Sequence, residues 1–179
     1  KNRIIRYDLD DVEPSRTWEV KKPGRLAVDS KGDVFAISHQ SIVRMNDDGV
    51  TQLIDSHLDA PHGLALDEKG RIYVSNWGDL QNVSVFSPAG QYLRSIGRKG
   101  GRPRAGKWIA EGMRRPKGLD VDQEGQLWVA EDISTPKRVS VWSAAVRCRA
   151  AGITRTTASA RNRAREAIGC PATTGYTSG

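Results

Sequence analysis

The chain has 179 residues, 28 Lys and Arg against 21 Asp and Glu, a net charge of +7 and only two cysteines. That length suits a single domain, the cysteine count excludes a disulfide-dense scaffold, and no apolar run approaches the length of a membrane span. The charge is uneven: residues 144–179 hold six arginines and one acid and contribute +5, so residues 1–143 carry only +2. The basicity of the whole is therefore weak ground for a nucleic-acid function in the main body of the chain.

In chain order, Ile4–Tyr7 and Thr17–Val20 read as two short strands. Then a segment recurs three times: PGRLAVDSKGDVFAIS from Pro23, PHGLALDEKGRIYVS from Pro61 and PKGLDVDQEGQLWVA from Pro116. Aligned on Asp29, Asp67 and Asp122, a proline lies six residues before each, a leucine three before and a glycine three after. Such a register identifies an internal repeat, which takes precedence over other readings. Each copy has the grammar of a β-hairpin. Apolar residues alternate on both sides of a D-x-x-G turn, whose glycine stands where a tight turn needs positive φ.

A second pair of strands follows each hairpin. In the first copy these are Ile42–Met45 and Val50–Ile54, turning at NDDG; in the second, Val83–Phe86 and Tyr92–Ile96, turning at SPAG. In the third only Val139–Trp142 is legible. The unit is thus a four-stranded antiparallel sheet, spaced by 38 and then 55 residues, the longer interval carrying an insertion. A unit of this size and composition predicts an all-β, partial β-propeller of about three and a half blades over residues 1–143. A β-sandwich of hairpins is the alternative, but a sandwich needs no in-register repeat. Propellers close with about 4–8 blades, so the chain is expected to be a fragment, with the missing blades of the same protein as its neighbours.

Residues 144–179 are expected to form a basic, irregular tail that supplies no regular outer strand. It reads either as a disordered segment with a short helix near Ser159–Ile168 or as the product of a shifted reading frame. A Cys148–Cys170 disulfide is open under the first reading only.

The segments PHGLALDEKGRIYVS…NVSVFSPAG and PKGLDVDQEGQLWVAED…RVSVWS resemble NHL repeats, the blades of six-bladed propellers. The resemblance spans about residues 1–143. It implies a recognition scaffold for protein, carbohydrate or small-molecule ligands, with RNA binders and a few enzymes also in the family. Bacterial members are often extracytoplasmic. Fold alone does not fix function.

In such a repeat the start of the first strand and the end of the second lie at one edge. Three groups therefore converge on a channel-mouth face. The first is the slot after each proline: Gly24, His62 and Lys117. The second is the end of each second strand, including His39, Asn76, Trp77, Glu131 and Asp132. The third is the insertion GRKGGRPRAGKWIAEGMRR, in which Arg98, Arg102 and Trp108 stand out. Eight basic residues and one acid between Arg98 and Lys117 suit a phosphate, an acidic polysaccharide or an acidic protein surface. The alternative is that these cations pair with Glu131 or Asp132. Trp128 occupies the slot of Phe35 and Tyr73, and Trp142 that of Phe86, so both are expected in inter-blade packing.

PHGLALD also resembles the peptidyl-α-hydroxyglycine amidating lyases, in which the matching histidine is a zinc ligand. That resemblance implies His62, with His39 as a second candidate, as ligands for zinc or calcium in a metal-dependent lyase or lactonase-like enzyme. Lys117 in the third slot departs from that pattern. The bland reading of His62 is a hydrogen-bonding residue near the channel mouth.

Overall fold

A computed structural model describes residues 2–104, 109–134, 138–143 and 148–149. Its regular elements are all strands. The first two are β1 (Arg3–Arg6) and β2 (Arg16–Glu19), and the first repeat follows as β3 (Pro23–Val28), β4 (Val34–Ser38), β5 (Ser41–Asn46) and β6 (Gly49–Ile54). The second repeat is β7 (Pro61–Leu66), β8 (Ile72–Asn76), β9 (Val83–Phe86) and β10 (Tyr92–Ile96). The third is β11 (Pro116–Val121), β12 (Leu127–Glu131), β13 (Val139–Trp142) and β14 (Cys148–Arg149). Each repeat folds as one antiparallel sheet with its strands in sequence order, and β1 pairs with β2 in a two-stranded sheet. Among the described residues no helix is long and apolar enough to cross a membrane.

The hairpin turns obey the chemistry written in the sequence. Asp29 Oδ1 accepts the Lys31 and Asp33 amides at 2.9 and 3.0 Å, and Asp67 Oδ1 accepts those of Lys69 and Arg71 at 3.0 and 2.9 Å. In the third copy Asp122 Oδ1 accepts the Gln126 amide at 2.7 Å. The glycine of each turn takes positive φ, +87° at Gly32, +71° at Gly70 and +73° at Gly125, a conformation with little penalty only when Cβ is absent.

Three apolar layers join the sheets. Phe35, Ile37 and Ile42 of the first repeat meet Leu64, Ile72, Val74 and Phe86 of the second. Tyr73, Val83 and Val85 of the second meet Leu127, Val129 and Trp142 of the third. Trp18 and Val20 close on Ala36, Val43 and Met45. Burying side chains of this size is worth about 1.5–3 kcal/mol each. The first strands β3, β7 and β11 pack side by side, so the sheets fan out from a common inner edge.

Two expectations need correction. Trp142 is buried as its repeat slot predicts, but Trp128 is 41 % exposed. The slot is the same as that of Phe35 and Tyr73; the difference is that those two face the next sheet, and no described residue covers Trp128. The second correction concerns the tail. Cys148 and Arg149 pair with Trp142 and Val141, giving the third sheet a two-residue fourth strand. An outer strand is held by backbone hydrogen bonds to the free edge of its neighbour, so it needs no apolar alternation. The remainder of the tail lies outside the described residues, as do the helix near 159–168 and Cys170.

Candidate functional site at the converging strand ends

The strand ends converge through one backbone device used three times. Lys22, Ala60 and Arg115, each just before the repeat proline, have φ of +43°, +48° and +48°. Their carbonyls accept the amides of His39, Trp77 and Asp132, the residues immediately after each second strand, at 3.5, 3.2 and 2.9 Å. Pro23, Pro61 and Pro116 accordingly pair with Ser38, Asn76 and Glu131. The residues after the proline and after the second strand are thereby held at one edge.

At that edge the His62 ring stacks on Trp77, with centroids 3.7 Å apart and planes 15° from parallel. The Arg115 guanidinium lies 4.3 Å from the Trp77 ring and the Lys117 ammonium 6.0 Å, within cation–π range. Trp77 is fixed from its edge, because Nε1 donates to the Pro116 carbonyl at 2.6 Å. Gln81 braces the same loop: its Nε2 donates to the Trp77 and Gly78 carbonyls, and its Oε1 accepts the Arg115 amide at 2.7 Å. Lys117 Nζ pairs with Asp132 Oδ2 at 3.1 Å.

Partial burial holds the His62 pKa below its ordinary value, and the positive charges of Lys117, Arg25 and Arg115 lower it further, against Asp132. The Asp132 carboxyl is held low by the hydrogen bond from Lys117 and by the charges of Lys117 and Arg115.

Below this surface lies a charge cluster. Glu131 accepts from Arg102 at 2.6 Å and pairs with Arg138 at 2.6 Å, the three side chains being 0 %, 5 % and 6 % exposed. Arg138 also donates to the Gly112 and Ala110 carbonyls at 2.7 and 3.3 Å. The insertion is therefore docked. Arg98 and Arg102 amides donate to the Glu111 and Met113 carbonyls, and Met113 is wholly buried in the layer between the second and third sheets.

The structure thus separates the predicted site residues. His62, Trp77, Lys117 and Asp132 come together at the surface. Asn76 lies beneath it: its side chain donates to Asn82 Oδ1 and Ser84 Oγ at 3.1 and 2.9 Å and accepts the Asp59 amide at 2.9 Å. Glu131 and Arg102 are buried partners of each other, the pairing weighed as the alternative above. Arg98 and His39 are exposed. Trp108 falls outside the described residues. Among the described residues no group of three or more His, Cys, Asp or Glu gathers to hold a metal ion. His62 has cations for neighbours, which oppose a dication, so these residues do not fit zinc or calcium.

Gln81 and Arg25 escaped the sequence reading, and Arg115 entered it only as one of the eight basic residues of the insertion. Arg115 has a signal in hindsight, since it precedes the repeat proline, but nothing local reveals that its side chain reaches Trp77.

No family model and no curated protein matches the chain. Solved structures do. A chain of the nidogen/laminin complex aligns with a TM-score of 0.63 at 19% identity, over 86% of this chain and 58% of that one. A streptogramin B lyase aligns at 0.60 and 16% identity, over 87% and 49%. A gluconolactonase from Xanthomonas campestris aligns at 0.52 and 21% identity, over 73% and 46%. The chain is built of β-propeller blades. It spans about half the length of these propellers, and at such identities the likeness carries the fold alone.

Proposed function

We propose that this β-propeller is a recognition scaffold of NHL type that binds a ligand or protein on the face made by His62, Trp77, Arg115, Lys117 and Asp132. The observation that carries the reading is the stack of His62 on Trp77 with Arg115 and Lys117 beside it. Rings and fixed cations offer stacking and charge-assisted hydrogen bonds to a partner. They sit on three different strand ends, which a rigid set of sheets holds in place. The nidogen/laminin structure is a complex between proteins, which supports a protein among the partners of this fold.

The test is a binding screen of the chain against acidic and neutral oligosaccharides and acidic peptides, read by calorimetry. The expected result is a ligand whose affinity falls in both His62→Ala and Lys117→Gln. Stoichiometric zinc or calcium in the protein, lost in His62→Ala, would replace this reading with a metal-dependent lyase or lactonase. Affinity for nucleic acid that falls steeply with salt and survives removal of residues 144–179 would replace it with a nucleic-acid binder.

A further inference from the structure

On the side of Trp77 that faces the insertion, a pocket of about 320 Å³ is lined by Trp77, Gln81, Gly100, Arg102, Arg114 and Arg115. Its volume lies within the roughly 300–1,000 Å³ range of small-molecule sites. Three of the six lining residues carry a guanidinium and none carries a carboxylate. One of the three, Arg102, is paired with Glu131. Arg114 donates to the Arg102 carbonyl at 3.5 Å, and Arg115 lies over the Trp77 ring with the Asp132 carboxylate near enough to feel its charge; neither makes an ion pair among the described residues.

The placement of Arg114 beside Arg115 is itself a product of the fold. In an extended strand, consecutive side chains point to opposite faces. Arg115 has φ of +48°, which interrupts that alternation, and both residues line the same pocket. The bond from Gln81 Oε1 to the Arg115 amide fixes the backbone there. Arg114 is half-buried and Arg115 exposed, and the repulsion between like charges held side by side is relieved when an anion binds between them. The planar fork of a guanidinium matches the oxygens of a phosphate, sulfate or carboxylate.

We propose that this pocket is an oxyanion site, in which Arg114 and Arg115 hold the phosphate, sulfate or carboxylate group of a small ligand whose body lies against the edge of Trp77. The proposal rests on the recognition reading above and names the chemical class that this side of the face accepts. The indole hydrogen of Trp77 reports on it, because Nε1 is anchored at the rim on the Pro116 carbonyl.

The experiment is an NMR titration of the nitrogen-15-labelled chain, whose five tryptophans give indole signals from which Trp77→Phe assigns the relevant one. Sodium phosphate, sodium sulfate and sodium glucuronate are each added at constant ionic strength maintained with chloride, the three arms separating the possible sources of the oxyanion. The expected result is a saturable shift of the Trp77 signal with at least one of them. Affinity should fall about tenfold or more in Arg114→Gln with Arg115→Gln, the scale of losing hydrogen bonds to a charged group. Lys69→Gln, which removes an exposed cation of the turn between β7 and β8, at the far end of that hairpin from Trp77, should leave it unchanged. Matching amide spectra establish that the variants are folded. No saturable shift with any anion overturns the proposal, as does an equal loss in Lys69→Gln, which would mean diffuse charge attraction. If anion binding fails while ligands from the screen still depend on His62 and Lys117, only the pocket assignment falls. If anions bind but no ligand depends on His62, the wider recognition reading falls instead.

Discussion

Arg102 donates to Glu131 Oε2 at 2.6 Å across 29 positions of the chain, with side chains only 5 % and 0 % exposed. Arg138 reaches the other carboxylate oxygen of Glu131, so one acid pairs with two guanidinium groups and ties the insertion to β12 and to the start of β13.

The stability effects at this cluster are expected to be unequal. Glu131→Gln removes the carboxylate charge that two buried guanidinium groups share and should lower unfolding stability by about 3–5 kcal/mol, the scale of breaking a buried pair. Arg102→Met leaves Glu131 with Arg138 and should lower it by about 1–3 kcal/mol. Urea unfolding midpoints of the two variants decide it; equal losses would show that Arg138 does not share the carboxylate.

Gly63 lies in close approach to the third sheet. A Cβ there would meet the Lys117 carbonyl, the Ser75 hydroxyl at 2.8 Å and Leu119 Cγ at 3.1 Å. Gly118, its counterpart in the third repeat, would meet only Ala130 Cβ, at 3.2 Å. Gly63→Ala should therefore destabilise by about 1–3 kcal/mol, as overpacking does, and should disturb His62 and Lys117 beside it. Gly118→Ala should have the smaller effect. Thermal unfolding of both variants, with the Trp77 indole signal as a local probe, tests the difference.

His62 is held below its ordinary pKa of 6.5, first by burial and then by Lys117. A base whose folded pKa is depressed gives stability that is fully present above its unfolded pKa and is lost as pH falls through 6.5 towards the folded value. The chain should lose stability over that interval, and His62→Gln should lose less. In an NMR titration of the ring, Lys117→Met should raise the His62 pKa but leave it below 6.5, because burial persists. A His62 pKa that does not move in Lys117→Met would remove Lys117 from its surroundings.

The turn acids differ in depth. Asp67 caps its turn and also accepts from Arg71 Nε at 2.5 Å and Tyr73 Oη at 3.1 Å, whereas Asp29 accepts only its turn amides. Asp67→Ala should lower stability by about 2–3 kcal/mol and Asp29→Ala by about 1 kcal/mol. Asp67→Asn should recover part of the loss, since Oδ1 is retained. Chemical denaturation of the three variants measures the order.

The sequence by itself determined the strands, the turns and the sheet as a unit, because these depend on residues close along the chain. Period-two alternation defines the faces of β4, β8 and β12, and an aspartate with a glycine three residues on defines the turn between two strands. The repeat register then put the slot after each proline at the same edge as the end of each second strand, and His62 and Trp77 do meet there. What lies above that edge and what lies beneath it was decided by tertiary structure. Asn76 and Trp77 are neighbours in sequence, yet Asn76 is wholly buried in a hydrogen-bonded network while the Trp77 indole reaches the Pro116 carbonyl, 39 positions away. Trp128 has the same repeat slot as Tyr73 but is exposed, since burial belongs to the neighbouring sheet rather than to the slot. Arg115 and Gln81 enter the site through the docking of the insertion, which Met113 anchors in the core. Alternation and turn chemistry record how the backbone runs, but they carry no record of which distant segment covers a given edge, and that covering turns Glu131 into a buried clamp and leaves His62 half-buried at the surface.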